Sequence, residues 1–424
     1  MLAAEAPLLI RPTGPEVDAV DVTFVMPCLN EAQALPTCIA MIAEAADLLQ
    51  ARDSLTSEVL IADNGSTDGS QDLARSLGAR VEAIGERGYG AALRGGFAAA
   101  RGRYLVMGDA DGSYDFREAV PMVEALVAGA DLCMGSRFKG GIAAGAMPWK
   151  NRYIGNPILT GVLNLLFGAG IEDAHCGLRA LTRKCFDRLK LTGSGMEFAS
   201  EMVIKAALLR QVIVEAPATL SPDLRDRAPH LRPWRDGWRH LRYLFMLSPS
   251  RLFGVPALLA GLAGIAILAS AGWAAAVNGD APFYFGNYWV VLAAAMVGGS
   301  HLATILTFAT HLYGVREGYR RANPAVNFLA RWVNLETMIV TGVASGAIGL
   351  AILVRVLLGW RARDFGPADS VLLPVFGTLL VTLGAQNLLG GFLLAIVGGN
   401  QARFFEMEPD GPTLADLTPD AAKP

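Results

Sequence analysis

Four stretches of this chain are too apolar and too long to pack inside an ordinary soluble domain. Residues 252–277, 288–313, 335–358 and 371–397 are mostly Leu, Ala, Val, Ile and Gly. Each exceeds the roughly 20 residues that carry a helix across a bilayer core. They predict an all-α region of four transmembrane helices within residues 251–400. Small residues recur there, as at Gly261, Gly264, Gly298, Gly342 and Gly390, and small residues let helices approach closely in lipid. Arg316, Arg320, Arg321 and Arg331 follow the second stretch, whereas residues 278–287 contain no Lys or Arg. The positive-inside rule then assigns residues 314–334 to the cytosol, with the N-terminal half and the C-terminal tail on the same side. This is the layout of a multi-pass protein of a bacterial-type cytoplasmic membrane. His301 and His311 lie in the second stretch; an ionisable residue at that depth is a functional hint, and His311, near the helix end, reads as interfacial.

The apolar excess is confined to that half. The whole chain is 53% hydrophobic and 18% charged, yet residues 1–250 carry the charge of a soluble domain. A net charge of −3 excludes a strong field toward nucleic acid. Cys28, Cys38, Cys133, Cys176 and Cys185 follow no regular spacing, which argues against a disulfide framework or a zinc site. The first residues lack the basic n-region of a signal peptide. Residues 1–19 read as a flexible leader, 20–230 as a folded cytosolic domain, 231–250 as a juxtamembrane interfacial helix, and 401–424 as a disordered cytosolic tail.

Within 20–107, apolar β-forming runs alternate with helical stretches. The runs are 21–26, 58–62, 81–84 and 104–107; the helices are 35–51, 70–77 and 91–100. Such alternation predicts a doubly wound, mostly parallel α/β sheet. Ligands bind such sheets at the carboxyl ends of the strands. The polar clusters fall there: Pro27-Cys-Leu-Asn30-Glu31, Asp63-Asn-Gly-Ser-Thr-Asp68, Gly88-Tyr-Gly90 and Asp109-Ala-Asp111. Each has a plainer explanation alone. Asn30-Glu31 could cap a helix, and the Asp63 run could be a turn. Together they describe a nucleotide-sugar site. Asp63 accepts from ribose or base, with Pro27, Asn30, Glu31 and Gly88 around the nucleotide. Asp109 and Asp111, at i and i+2, share a face on a regular strand and suit Mg²⁺ or Mn²⁺, which take oxygen ligands and share them with phosphates.

These motifs stand in the order found in family 2 inverting glycosyltransferases. Gly135-Ser-Arg137, Asn151-Arg152, Asp173-Ala-His-Cys-Gly-Leu-Arg179 and Asp236-Gly-Trp-Arg-His240 narrow the resemblance to the polyprenyl-phosphate group, which contains the dolichyl-phosphate mannose and glucose synthases. The resemblance covers residues 20–245. It implies a GT-A-like fold and transfer of one sugar from a nucleotide diphosphate to a polyprenyl phosphate. It places Asp109 and Asp111 at the metal and diphosphate, and Arg137 and Arg152 where basic groups hold the acceptor phosphate; Arg225 matches the Arg of a flexible loop in that group. His230 and Pro229 stand where that group commonly has Lys and Ser. Ser113 stands where mannose-transferring members often have Gln, so Asp-Ala-Asp-Gly-Ser is closer to the glucosyl type. UDP-glucose is thus the leading donor and GDP-mannose the second. Homo-oligomers are compatible with the resemblance.

The chemistry is coherent without the family. A lipid phosphate is already an anion, so it needs little help from a base; it needs guanidinium groups that bring two anions together. Arg137, Arg152 and Arg225 are candidates, with Arg179 behind them. Asp111 and Asp173 complete the catalytic set, Asp173 to position the nucleophile or sugar hydroxyls. His175 reads as a neighbour rather than a base, and Glu201 with Lys205 as a solvated i, i+4 pair. The basic-aromatic run from Arg232 through Tyr243, and Trp149 to Tyr153 before the apolar stretch 157–167, suit the lipid interface. Two rivals remain open. A processive polysaccharide synthase would carry Gln-x-x-Arg-Trp, which is missing from this chain. A non-catalytic transport subunit would have no need of the carboxylate and arginine sets.

Overall fold

The computed structural model describes residues 20–224, 233–278, 286–320, 332–366, 370–400, 402 and 404, except that side chains 233–236 and 239 are not described. The leader, Arg225, Pro229, His230, Arg321, Arg331 and nearly all of the tail lie outside the described residues. The chain divides into two compact units between Ser248 and Pro249.

The first unit is built on a seven-stranded sheet. Its strands are β1 (Val22–Cys28), β2 (Ser57–Asp63), β3 (Arg80–Ala83), β4 (Tyr104–Met107), β5 (Leu132–Ser136), β6 (Arg179–Thr182) and β7 (Ile213–Pro217). Their order is β3-β2-β1-β4-β6-β5-β7. β1, β2, β3 and β4 run parallel, and β5 pairs parallel with β7. β6 is antiparallel to both its neighbours. The central strands are near-continuous apolar runs because helices cover both faces; Phe24, Met26, Leu60, Ile61 and Val106 are fully buried. Phe24 meets Phe116 edge-on at 6.4 Å.

Helices α1 (Leu35–Asp53), α2 (Ser70–Ser76) and α3 (Tyr89–Ala99) follow the first three strands. They are joined by α4 (Val120–Val127), a single turn α5 (Arg137–Gly140), α6 (Asn156–Phe167), α7 (Arg183–Leu189), α8 (Glu197–Leu208) and α9 (Pro233–Met246). A π-helical turn, Asn151–Gly155, leads into α6.

The structure corrects one expectation here. Glu201 and Lys205 are not solvated: they are 0% and 5% exposed and 2.7 Å apart. Glu201 also accepts from the amides of Thr192 and Gly193, and Lys205 donates to the Lys190 carbonyl at 2.6 Å. The pair fastens α8 to the loop before it. Burial raises the Glu201 pKa, but Lys205 and those amides outweigh burial and hold the carboxyl below its ordinary value.

In the second unit, four helices are long and apolar enough to cross a membrane among the described residues: Ser250–Val277, Asn287–Arg316, Leu335–Arg361 and Leu372–Val397. Polar side chains tie them. Ser300 donates to the Ala257 carbonyl at 2.6 Å, Ser345 to the Leu380 carbonyl at 2.8 Å, and His301 Nδ1 meets Gln386 Oε1 at 2.9 Å. His311 is buried within this unit. The third and fourth helices approach backbone to backbone. A Cβ on Gly384 would lie 2.6 Å from the Gly342 carbonyl oxygen and 2.8 Å from the Gly346 nitrogen.

Two outcomes follow for stability. Glu201→Gln removes the carboxylate that balances the buried Lys205 ammonium and should cost roughly 3 kcal/mol, read by thermal unfolding in detergent. A carboxyl held below its ordinary pKa stabilises above the unfolded value and loses that effect as pH falls through the folded value. The gap between wild type and variant should therefore close in acid. Gly384→Leu should separate the third and fourth helices and lower the unfolding temperature, whereas Gly299→Leu, whose Cβ would meet nothing within 4 Å, should be tolerated.

Candidate active site

The site is assembled from loops that leave the carboxyl ends of the strands, and side-chain amides and hydroxyls splice the loops together. At the exit of β1, Asn30 adopts a left-handed conformation with φ of 61°, which Asn tolerates better than most residues. Its Oδ1 accepts from the Thr67 amide at 2.7 Å, and its own amide donates to Ser66 Oγ at 2.9 Å. The Glu31 amide donates to Ser70 Oγ at 3.0 Å, while the Glu31 carbonyl receives the first amides of α1. Asn30 and Glu31 thus join the β1 loop to the β2 loop and start a helix. Pro27 lies half-buried on β1 beside them.

Asp63, at the end of β2, is 1% exposed. Its Oδ2 accepts from the amides of Gly65 and Ser66 at 3.0 and 3.1 Å and from Gln71 Nε2 at 2.7 Å. The carboxylate therefore shapes its own loop. Asn64 carries the splice onward. Its Nδ2 donates to the carbonyls of Ile84 and Glu86, and its Oδ1 accepts from the Gly88 amide at 2.7 Å. Gly88 has φ of 136°, and a Cβ there would collide with the Ser194 carbonyl, so only glycine fits. Asn64 and Gln71 were not singled out from the sequence; the signal for Asn64 was its place inside the Asp63 cluster.

β4 delivers the acidic pair. Tyr89, which opens α3, donates its hydroxyl to Asp109 Oδ1 at 2.9 Å. Asp111 is 8% exposed, and its Oδ1 accepts from the Ser113 amide at 2.9 Å. These are hard oxygen donors with no thiolate or imidazole among them, which fits Mg²⁺ or Mn²⁺. Among the described residues no group of three or more His, Cys, Asp and Glu side chains could cage an ion alone, so such an ion would draw further ligands from donor phosphates.

Opposite this pair lies a buried charge. Arg137, the first residue after β5, donates from Nε to Asp173 Oδ2 at 2.6 Å and from Nη2 to Asp173 Oδ1 at 2.7 Å. Its backbone amide adds a third bond at 3.1 Å. Asp173 is 0% exposed and Arg137 is 7% exposed. Burial raises the Asp173 pKa, but the guanidinium outweighs burial and holds it below its usual value. Arg137 is thus paired internally; among the described residues only Nη1 of its side-chain donors makes no hydrogen bond.

Tyr114 stands between the two halves. Its hydroxyl accepts from the Gly177 amide at 2.9 Å, and both Arg137 and Asp109 act on it electrostatically. Burial pushes its pKa up. Arg179 is structural: it is 1% exposed and donates to the carbonyls of Cys176, Ala199 and Ala174 at 2.8, 2.5 and 3.0 Å. It braces the loop that carries Asp173.

Arg152 lies on the π-helical turn, stacked over Tyr153 at 5.4 Å, and makes no ion pair among the described residues. The helix after it is anchored to the same loop, through Thr160 Oγ1 to the Ala174 amide at 3.3 Å and Asn164 to the Ile171 backbone. His175 is held neutral, its pKa pushed down to about 3 by burial, then by His240 and Arg137.

Residues 23–190 match the family described as Glycosyl transferase family 2, and residues 308–398 match the Glycosyltransferase family 2 C-terminal transmembrane region. The low-salt glycan biosynthesis hexosyltransferase Agl6 of Haloferax volcanii is 33% identical over 387 residues, covering 90% of each chain. Polyprenol monophosphomannose synthase of Mycolicibacterium smegmatis is 30% identical over 232 residues, 52% of this chain and 82% of that protein. Among solved structures, glucosyl-3-phosphoglycerate synthase from Mycobacterium tuberculosis, in complex with Mn²⁺, UDP and glucosyl-3-phosphoglycerate, has a TM-score of 0.39 and 22% identity over 55% of this chain and 80% of that one. With a relative matched along nine-tenths of both chains and the family's motifs gathered at one end of the sheet, the chain belongs to glycosyl transferase family 2.

Proposed function

We propose that this protein transfers a single hexose from a nucleotide diphosphate sugar to a polyprenyl phosphate, with inversion at the anomeric carbon. The observation that carries the reading is that one loop touches both groups: at Gly177, whose amide donates to the Tyr114 hydroxyl, a Cβ would lie 2.6 Å from Asp109 Oδ2, and the same loop's Asp173 holds the buried Arg137. One half suits a metal-bound diphosphate, and the other suits a second anion. Relatives named as a hexosyltransferase of glycan biosynthesis and as a polyprenol monophosphomannose synthase support the acceptor class.

In this reading Asp63, Asn64, Asn30 and Gly88 form the rim that receives the nucleoside, with Asp63 holding the loop in shape. Asp109 and Asp111 would hold Mg²⁺ or Mn²⁺, which when bound would supply positive charge against the leaving diphosphate. An oxygen of the lipid phosphate attacks the anomeric carbon from the face opposite the leaving group. The bond from that carbon to the nucleotide's terminal phosphate oxygen breaks, and its electron pair stays with the departing diphosphate. No proton need move, because the nucleophile is already an anion. Arg152 supplies the guanidinium that meets the acceptor phosphate. Arg137, oriented by Asp173, presents its remaining Nη1 and a fixed positive field. Arg225 joins them in this proposal from sequence alone. The Asp-Gly-Ser turn at Ser113 favours UDP-glucose over GDP-mannose.

The domain works at a bilayer surface on the cytosolic side. α6 and α9 pack together; with the π-helical turn before α6 they expose Tyr153, Ile158, Leu165, Trp238 and Met246, the aromatic and apolar side chains that suit a lipid interface. Arginine near the headgroups is where a lipid phosphate resides.

The test is sugar transfer by the purified full chain from radiolabelled UDP-glucose and GDP-mannose to undecaprenyl phosphate with Mn²⁺. Label should enter the lipid phase from one donor. Chelation with EDTA or Asp111→Ala should reduce the rate by about 10³-fold or more. No label from either donor, with nucleotide still bound, would refute the acceptor. Arg152→Ala should raise KM for the lipid phosphate by about tenfold while leaving UDP binding unchanged; equal loss of both would remove Arg152 from the acceptor side.

A further inference from the structure

Two histidines connect α9 to the Asp173 loop, and the proposed transfer chemistry has no other use for them. His240 is 7% exposed and lies on the inner side of α9, one helical turn before the buried Leu244. Its Nδ1 meets Ser200 Oγ of α8 at 2.8 Å. Its ring stands edge-on to His175, centroids 5.1 Å apart and planes at 89°. Both ring nitrogens of His175 are buried without a hydrogen-bond partner among the described residues, an arrangement that costs free energy unless something else is gained. The His175 amide donates to Asp173 Oδ1 at 3.2 Å, the same oxygen that receives Arg137 Nη2 at 2.7 Å. A continuous run of contacts therefore leads from α9 through His240 and His175 to Asp173 and Arg137.

We propose that His240 is a positioning residue: through His175 it lets the docked α9 helix hold the Asp173–Arg137 pair in place, so that seating α9 and forming the acceptor half of the site are one event. The inference rests on the reading of that half as the lipid-phosphate side. Trp238, two residues away on α9, is 64% exposed, so the same helix turns an aromatic side chain outward while its histidine faces the site. Docking of α9 is thereby coupled to the geometry of a pair more than sixty residues earlier in the chain, between β5 and β6. Charged groups acting on His175 are Arg137, Asp173 and Arg179; the latch works with a neutral imidazole, by packing.

Full-length protein in phosphatidylcholine–phosphatidylglycerol vesicles with undecaprenyl phosphate tests this. His240→Ala should raise KM for the acceptor about tenfold while affinity for UDP and GDP stays within about twofold. His240→Phe, which keeps a ring edge on His175, should stay within about threefold of wild type on both counts. A readout without catalysis is amide hydrogen exchange at residues 171–179. It should speed up in His240→Ala and in Ser200→Ala, which removes only one hydroxyl, and remain slow in His240→Phe. Unchanged KM with unchanged exchange would overturn the latch, as would parallel loss of nucleotide and acceptor binding in His240→Ala. Should wild type transfer no sugar to a lipid phosphate, the catalytic reading fails and the exchange at 171–179 alone decides whether α9 positions the pair.

Discussion

A guanidinium and a carboxylate buried together impose the central constraint on this structure. Removing Arg137 and Asp173 from water is expensive, and the cost is offset because two side-chain bonds and two backbone amide bonds are made at once. The loop bearing Asp173 must therefore be held rigidly. Arg179 braces it from beneath through three carbonyls. Thr160 and Asn164 fasten it to α6, and Tyr114 fastens its far end to the β4 exit. An antiparallel β6 lets this loop come back across the sheet to reach the acidic pair.

The same constraint explains why an apparently redundant set of arginines is divided in role. In the proposed reaction, a site that brings two phosphate-bearing molecules together needs one fixed cation and one that can engage and release. Arg137 is the fixed one, since most of its donors are already committed. Arg152, stacked on Tyr153 and outside any described ion pair, is the adaptable one. On the nucleotide side the logic is similar. Asp63, Asn30 and Asn64 spend their hydrogen bonds on shaping loops, so in the proposed reaction the rim is organised before a nucleotide arrives.

The sheet and the spans were legible because burial imposes patterns on sequence. β1, β2 and β4 are short, largely apolar runs, and each ends where a polar cluster begins; β3 carries Arg80 and Glu82 and is only half-buried. The spans are long stretches in which charged residues such as Arg355 are rare, and that length and composition identify them. Side-chain partnerships were not legible. Glu201 and Lys205 have the spacing of a solvated helix pair, and only the packing of α8 shows that they are buried. Arg137 and Arg179 look alike in sequence; one is bound by a carboxylate and the other by three carbonyls. The roles of Asn64, Tyr89 and Tyr114 depend on residues 20 or more positions away. Local periodicity carries no trace of such contacts. The antiparallel sense of β6 is equally tertiary, since nothing in Arg179–Thr182 fixes its direction.

The central claim is that one hexose is joined to one lipid phosphate with inversion, by attack of the phosphate itself. The most direct measurement is the intact mass and anomeric configuration of the lipid product, made by the purified chain and read by mass spectrometry and by the one-bond carbon–proton coupling at the sugar's first carbon. The account predicts lipid phosphate plus a single hexose, in the configuration opposite to that of the donor. A ladder of longer glycans, or a product that retains the donor's configuration, would contradict it.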